Sequence, residues 1–200
     1  MKAKKQIMKN LLLSIIFILT ISCKAQDLRS NIIGYYEFKL CNSPHTIILI
    51  EKRHKKYKGL ANTSLKKKRK NGTYRNVKKR TKISPLQTKI IIEQLKYEKI
   101  DSLNKNYDDD SLTYLDGDHL VIKFLRNNKI EEFEFEEIYP VNSNKVEKTP
   151  LRGKVQNWLN IIDNELNMKN IFSKIKQKLK RGTYCYESGA IYKTCINMKK

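Results

Sequence analysis

The sequence has few of the residues on which most active sites depend. Its 200 residues include three histidines, four cysteines and one tryptophan. It contains no H-E-x-x-H zinc motif, no G-x-S-x-G serine motif, no glycine-rich phosphate loop and no C-x-x-C pair. The three histidines stand in unrelated contexts. The sequence therefore does not favour an enzyme, and we predict no catalytic residue and no cofactor.

The sequence also lacks an apolar run that favours a permanent transmembrane helix. The uncharged, mostly apolar stretch Leu11–Ile21 measures about 16 Å as a helix, about half of what a bilayer requires. Four lysines precede this stretch, and Ser22 and Cys23 follow it. A basic start, a short apolar centre and a small residue at the cleavage point are the parts of a secretory signal peptide. We therefore predict a signal peptide over residues 1–22.

The end of this signal suggests lipidation. The run Leu19-Thr20-Ile21-Ser22-Cys23 resembles the lipobox of bacterial lipoproteins, in which a peptidase cuts before a cysteine that carries a diacylglyceryl group. Ser22 fits the pattern, whereas Thr20 and Ile21 depart from the usual leucine and small residue. The resemblance implies that a lipid on Cys23 tethers the mature chain to a membrane of the cell envelope, expected to be the outer membrane. The alternative is cleavage after Ala25, which leaves a soluble periplasmic or secreted protein.

Acidic residues are scarce in this chain. It carries 42 lysine and arginine residues against 20 acidic ones, a formal charge of +22, and loses four lysines with residues 1–22, which leaves +18. Such a charge usually points to nucleic acid, but the predicted export excludes that partner. The remaining partners are the membrane reached through the lipid anchor, anionic lipid, acidic polysaccharide or an acidic protein. Because lysine outnumbers arginine 34 to 8, A/T-rich coding explains the charge equally well.

The charge is concentrated in one segment. Fifteen lysines and arginines and no acid lie between Lys52 and Lys82. We expect a solvated basic loop over residues 66–82, with a protruding hairpin as the alternative, because an Asn-Gly pair is typical of hairpin turns. An anionic membrane attracts each basic residue by about 1 kcal/mol. The predicted anion-binding residues are Lys66, Lys67, Lys68, Arg69 and Lys70.

Hydrophobic periodicity predicts an α+β domain over residues 32–200, preceded by a lipidated tether over 23–31. Alternating apolar residues indicate strands over 32–40, 46–50 and 57–65, a hairpin with arms at 119–126 and 130–138, and a last strand in the tail. Helices are predicted after Ser84-Pro85 and Thr149-Pro150, where a capping residue precedes a proline, and from Asn170. The stripe of the first helix begins at Leu86. The expected architecture is an antiparallel meander of about five to six strands packed against two to three helices.

Two groups of acidic residues stand out. Glu132, Glu134 and Glu136 form an outward row in the second arm of the hairpin, which either faces solvent or neutralises part of the basic segment. Residues 108–119 are rich in aspartate, a weak candidate for a metal site or for the carboxylates of a hydrolase. No register there supplies an EF-hand ligand set, so no metal is predicted. The weak candidate ligands are Asp108, Asp110, Asp116 and Asp118.

The cysteines suggest one disulfide in an oxidising compartment. If Cys23 is lipidated, Cys41, Cys185 and Cys195 remain, an odd number that allows one bond and one thiol. Cys185 with Cys195 is the local pairing. Pairing of Cys41 with either of them is the alternative.

These observations favour a membrane-tethered envelope lipoprotein with a non-catalytic binding or scaffolding role. One alternative is an inhibitor or immunity-type periplasmic protein, with residues 66–80 as the inhibitory loop. Another is a hydrolase that uses the acidic segment over residues 108–119. The ligand and the oligomeric state do not follow from the sequence.

Overall fold

The computed structural model describes residues 31–104, 118–141, 146–187 and 193–199. These residues form an antiparallel sheet and three α-helices, which confirms the predicted α+β class. The described strands number eight, where five to six were predicted. They are β1 (Ile32–Lys39), β2 (His45–Lys52), β3 (Lys56–Lys68), β4 (Tyr74–Ile83), β5 (His119–Arg126), β6 (Lys129–Glu136), β7 (Gly182–Glu187) and β8 (Lys193–Met198). The helices are α1 (Pro85–Tyr97), α2 (Pro150–Leu166) and α3 (Met168–Gln177), with a 3-10 turn at Ile100–Ser102.

Strand β3 joins two parts of the sheet. The order is β6-β5-β1-β2-β3, with β4 on the other edge of β3. Its first part pairs with β2, from Lys56 to Thr63. Beyond the start of β2, Lys66 and Lys67 pair with β7, which in turn pairs with β8. The long β3 therefore carries both the N-terminal meander and the C-terminal hairpin.

The segment predicted as a basic loop is instead the second half of a β-hairpin. Strand β4 pairs with β3 over its whole length, so the loop prediction for residues 66–82 is wrong and the alternative, a hairpin, is present. Val77, Thr81 and Ile83 are partly or fully buried on the side of the core, and Lys79, which shares their face, is exposed. This period-two pattern is sufficient to hold the strand, although most of its other residues are charged and exposed.

The core lies between one face of the sheet and helices α1 and α2. Phe38, Ile122 and Phe124 are fully buried on that face, and the single tryptophan, Trp158 of α2, packs among them. We call this the inner face of the sheet and the opposite one the outer face. Leu86, predicted on the buried stripe of α1, is 67% exposed. Its position is opposite the buried arc, which is formed by Thr88, Ile91, Ile92 and Leu95.

The start of α1 also ties the two core helices together. Ser84 caps the helix by accepting a hydrogen bond from the backbone N–H of Gln87, and Pro85 takes the first position, as predicted. The Gln87 side-chain amide donates to the backbone oxygen of Glu165 in α2 at 3.1 Å. The Gln87 side-chain oxygen also accepts from the Ser84 hydroxyl at 3.0 Å, so one side chain serves both the cap of α1 and the contact with α2.

The acidic row of β6 finds its partners on the neighbouring strand. Lys123 Nζ lies 2.7 Å from a Glu132 carboxylate oxygen, and His119 Nδ1 lies 3.1 Å from Glu134. Strand β6 is five strand spacings from β4, about 24 Å along the sheet at the usual spacing. Exposed charges that far apart are screened at physiological salt, where the Debye length is about 8 Å. The predicted neutralisation of the basic segment by this row is therefore wrong.

Helix α3 packs on its own domain. It begins at Met168, two residues before the predicted start, because Asn167 adopts the left-handed conformation and both ends α2 and caps α3. The Asn167 side chain accepts a hydrogen bond from the backbone N–H of Asn170 at 3.0 Å. Phe172 packs against a second apolar cluster beneath the C-terminal hairpin, formed by Leu65, Leu179 and Tyr184.

Candidate anion-binding surface and apolar pocket

We call residues 66–82, which comprise the end of β3, the turn and most of β4, the basic hairpin. The register of β4 on β3 aligns three of its cations on one face. Lys78, Arg80 and Lys82 lie opposite outer-face residues of β3 and are all exposed. Alternate residues of a strand are about 6.7 Å apart, so the three side chains define a line about 13 Å long. We call these three residues the basic row. The row makes β4 a cationic edge of the sheet.

Most cations of the basic hairpin lack an acidic partner. Of its ten lysines and arginines, Lys66 alone forms an ion pair within the described residues, with Glu187 of β7 at 2.5 Å. This ammonium group lowers the pKa of Glu187 below its ordinary value. Lys67 Nζ lies 5.4 Å from the centre of the Tyr184 ring, a cation–π contact. Among the residues that the structure describes, the other cations of the hairpin form no ion pair with an acid.

The five predicted anion-binding residues lie in different environments. Lys66 and Lys67 are half-buried in β3 and already contact β7. Lys68 ends β3, and Arg69 and Lys70 occupy the exposed turn. The turn closes through a hydrogen bond from the Arg69 N–H to the Thr73 carbonyl at 2.8 Å. The hairpin brings these residues to one tip, but the sequence reasoning missed the basic row.

A signal for the basic row was present in the sequence. Val77, Thr81 and Ile83 recur at even spacing, which is typical of a half-buried strand. The density of lysine concealed this alternation. Once the strand is recognised, Lys78, Arg80 and Lys82 must lie on the outer face, because each is an odd number of residues from Val77, Thr81 and Ile83.

Aliphatic side chains adjoin the basic row on the outer face. Lys82 pairs in register with Leu60 of β3, and Leu60 pairs with Ile48 of β2. Both aliphatic residues are partly exposed. The outer face thus presents the aliphatic Leu60 directly beside Lys82 of the basic row, with Ile48 one strand further away.

The acidic segment provides no metal site among the described residues. Asp108, Asp110 and Asp116 lie outside the described residues. Asp118 accepts a hydrogen bond from the backbone N–H of His119 at 3.0 Å. Within the described ranges no group of three histidine, cysteine or acidic residues is placed to hold a metal ion. The predicted lipidation site, Cys23, also lies outside these ranges.

The structure contains the local disulfide. Cys185 and Cys195 are directly opposite each other on β7 and β8 and are bonded, with their Cα atoms 4.1 Å apart. Cys41 is a free, buried thiol, so the alternative pairing through Cys41 is absent. Burial, together with the nearby Asp118, raises the pKa of the Cys41 thiol to about 12. Cys41 is therefore a neutral thiol at neutral pH and reacts only slowly as a nucleophile.

A pocket of about 280 Å³ lies beside Cys41. It is open to solvent on one side and is bordered by the turn after β1, the segment over residues 138–140 and the corner between α2 and α3. Its walls are mainly apolar. They are formed by Leu40, Cys41, Ser43, Ile138, Tyr139, Pro140, Leu159, Ile162, Asp163, Met168 and Lys169.

Polar side chains of α2 hold the extended wall of this pocket. Gln156 donates to the Tyr139 carbonyl at 2.9 Å, and Asn160 accepts from the Val141 N–H at 2.7 Å. One turn earlier, the buried Arg152 donates to the Glu136 carbonyl at 2.8 Å and to the Glu147 carboxylate at 2.7 Å. Residues spaced by four lie on one helix face. Arg152, Gln156 and Asn160, which we call the polar ladder of α2, therefore bind the segment from Glu136 to Val141 along its length. The wall is thereby fixed to the helix.

Comparison with protein-family models, with curated protein sequences and with solved structures finds no match to this chain. Among the described helices, none combines the length and the apolar composition needed to span a membrane.

Proposed function

We propose that the protein is a membrane-tethered envelope lipoprotein whose basic hairpin binds an anionic lipid surface, without catalysing a reaction. The observation that carries this proposal is the cluster of exposed cations on an ordered edge hairpin, with a single acidic partner among the described residues. The lipid on Cys23 supplies the tether, and the hairpin supplies a second contact. Membrane attachment is strongest when a lipid anchor and a basic patch act together.

The strength of the second contact follows from the number of free cations. Each basic residue near an anionic membrane contributes about 1 kcal/mol. The three residues of the basic row alone account for about 3 kcal/mol, and the turn residues Lys68, Arg69 and Lys70 extend the patch. Because the basic row sits on a paired strand rather than a flexible loop, little backbone conformational entropy is lost when it binds.

The aliphatic neighbours favour lipid over polysaccharide as the anionic surface. Leu60 and Ile48 adjoin the basic row and are partly exposed. Cationic and aliphatic groups side by side match the boundary between head groups and acyl chains. A polysaccharide offers no comparable apolar layer.

The tether is tested by the Cys23→Ala substitution. We expect the variant to move from the membrane fraction to the soluble envelope fraction, because it has no site for the acyl chains. Mass spectrometry of the mature wild-type N-terminus should find a lipidated cysteine at position 23. Unchanged membrane retention of the variant, or a mature N-terminus at Gln26, refutes the anchor.

The lipid contact is tested separately in the Cys23→Ala background, where the tether cannot mask it. The Lys78→Gln, Arg80→Gln, Lys82→Gln triple variant should partition about 100-fold more weakly to vesicles containing anionic lipid, at low salt. The matched control carries three neutralised lysines elsewhere, Lys129→Gln, Lys148→Gln and Lys154→Gln. In co-sedimentation with anionic vesicles, this control should bind nearly as well as the parent protein. Neither the parent protein nor the variants should bind neutral vesicles.

Equal losses for the two triple variants would show that net charge, not the hairpin, governs binding. No loss for the basic-row variant would exclude the hairpin as the lipid contact. Either result leaves the tether experiment unaffected, so the two parts of the proposal fail independently.

A further inference from the structure

We propose that the apolar pocket beside Cys41 binds a single medium-chain fatty acid, with the alkyl chain inside and the carboxylate at Lys169. This site is separate from the basic hairpin and does not depend on the proposed lipid contact. The inference rests on the composition of the walls, the volume of the pocket and the charge at its mouth.

The walls are suited to an alkyl chain. Leu40, Ile138, Leu159, Ile162 and Met168 supply most of the lining. Asp163 and Lys169 are the charged residues of the lining, and the Cys41 thiol is neutral at neutral pH. Burial of each methylene in such a site is favourable and is not opposed by polar desolvation.

The volume limits the length of the chain. An apolar cavity of about 150 Å³ accommodates benzene, with six carbon atoms. By the same ratio, the pocket of about 280 Å³ accommodates about eleven carbon atoms. A fatty acid of about ten carbons therefore fills the pocket, whereas a diacyl lipid is too large.

The mouth favours an anionic head group. Ser43 Oγ accepts from the His45 N–H at 3.3 Å, and Asp163 accepts from the Met168 N–H at 3.1 Å. Lys169 is exposed at the start of α3 and has no acidic partner in the described part of the chain. It is the positive group at the rim, so a carboxylate is the complementary head group. The Asp163 carboxylate, which also lines the pocket, would repel a carboxylate and favour a cationic head group, so decylammonium is the direct competitor of decanoate.

The position of the pocket agrees with a ligand drawn from a membrane. The Pro44 carbonyl accepts from the Ser64 N–H at 2.9 Å, which places the turn after β1 beside β3. From that point β3 continues into the basic hairpin. The pocket and the hairpin tip thus lie at the same end of the sheet. The polar ladder of α2 keeps the pocket wall in place before the ligand binds.

The experiment is calorimetric titration of the full chain carrying Cys23→Ala. Decanoate should bind, and octanoate should bind about tenfold more weakly because two methylenes are lost. Decanol and decylammonium should both bind more weakly than decanoate. Lys169→Gln should weaken decanoate binding without changing decanol binding, and Lys174→Gln, on the same helix, should change neither.

Occupancy of the pocket can be read independently at Cys41. With Cys23 replaced and Cys185 bonded to Cys195, Cys41 is the free thiol. Decanoate should slow its alkylation by N-ethylmaleimide at the concentrations that saturate the calorimetric signal. Ile162→Phe, which reduces the pocket volume, should abolish both effects while circular dichroism and the melting transition show a folded chain.

Several results would overturn the proposal. They are absence of decanoate binding, tighter binding of decylammonium or decanol, and equal affinities for octanoate and decanoate. Decanoate binding without protection of Cys41 would place the ligand elsewhere. If Ile162→Phe fails to fold, the Lys169→Gln comparison and the chain-length series still decide the question.

Discussion

The buried histidine of β2 predicts a specific acid sensitivity. His45 is 3% exposed, and its Nδ1 lies 2.8 Å from the hydroxyl of Thr63 on β3. Its Nε2 has no hydrogen-bond partner among the described residues, and the edge of the ring meets Phe172 with the centroids 5.3 Å apart. Burial lowers the pKa of His45 from 6.5 to about 4. The native state therefore holds the neutral ring.

The size of the effect follows from linkage. The unfolded chain binds a proton at His45 below pH 6.5, whereas the native chain does so only below about pH 4. The contribution of the neutral His45 to the free energy of unfolding is thus fully present well above pH 6.5 and is lost as the pH falls towards 4. Between pH 7.5 and 5.0 the loss is about 2 kcal/mol, and it approaches about 3 kcal/mol below pH 4.

The assay is urea unfolding at a series of pH values from 7.5 to 5.0, above the range where most carboxylates titrate. His45→Gln cannot be protonated, so its free energy of unfolding should be nearly constant over this range. The control is His54→Asn, at the exposed turn between β2 and β3, where the backbone φ of 61° suits asparagine. It should retain the full pH dependence of the wild type.

Equal losses of stability for His45→Gln and the wild type between pH 7.5 and 5.0 would refute the role of His45. Loss of the pH dependence in His54→Asn would also refute it, because the sensitive group would then be the exposed histidine. A wild-type curve that is flat over this range would show that the buried ring is protonated in the native state at little cost.

The remaining predictions concern stability and use urea unfolding. Gly153→Ala should raise the free energy of unfolding by about 1 kcal/mol, because the site is helical and a new Cβ would meet only the Glu147 carbonyl, at 3.8 Å. Gly59→Ala should lower the free energy of unfolding by about 1–3 kcal/mol, since the new Cβ would overlap Thr88 and lie 2.8 Å from Ile83 Cβ. Equal effects of Gly153→Ala and Gly59→Ala would contradict both predictions. Reduction of the disulfide, which closes a separation of 10 residues, should cost about 2–3 kcal/mol, and a Cys195→Ser variant should not respond to the reductant.

Local patterns in the sequence were sufficient for several elements. The capping residues Ser84 and Thr149, each followed by proline, correctly marked the starts of α1 and α2. Alternating residues correctly indicated β1 and the β5–β6 hairpin, whose Asn127 and Asn128 adopt the positive φ values of its turn. These signals are readable because capping, turn and periodicity depend on residues close together in the chain.

The sequence was less informative where cations predominate. The sequence predicts a loop in place of strand β4, because its inward residues are few and its lysines obscure the period-two alternation. The position of the acidic row depended on the order of strands in the sheet, which periodicity does not encode. Pairing of Glu132 with Lys123 follows from the register between β5 and β6.

Some features of the candidate site could likewise be predicted from the sequence, and others could not. The sequence by itself determined the amount of positive charge, its concentration before Lys82 and the lipobox-like end of the signal. Only the tertiary structure decided that the basic row lies beside Leu60 of β3 and that Cys41 and Lys169 border one pocket. The physical reason is that each of these arrangements brings together residues from separate elements. Their meeting is set by strand register and helix packing, which arise from the whole core.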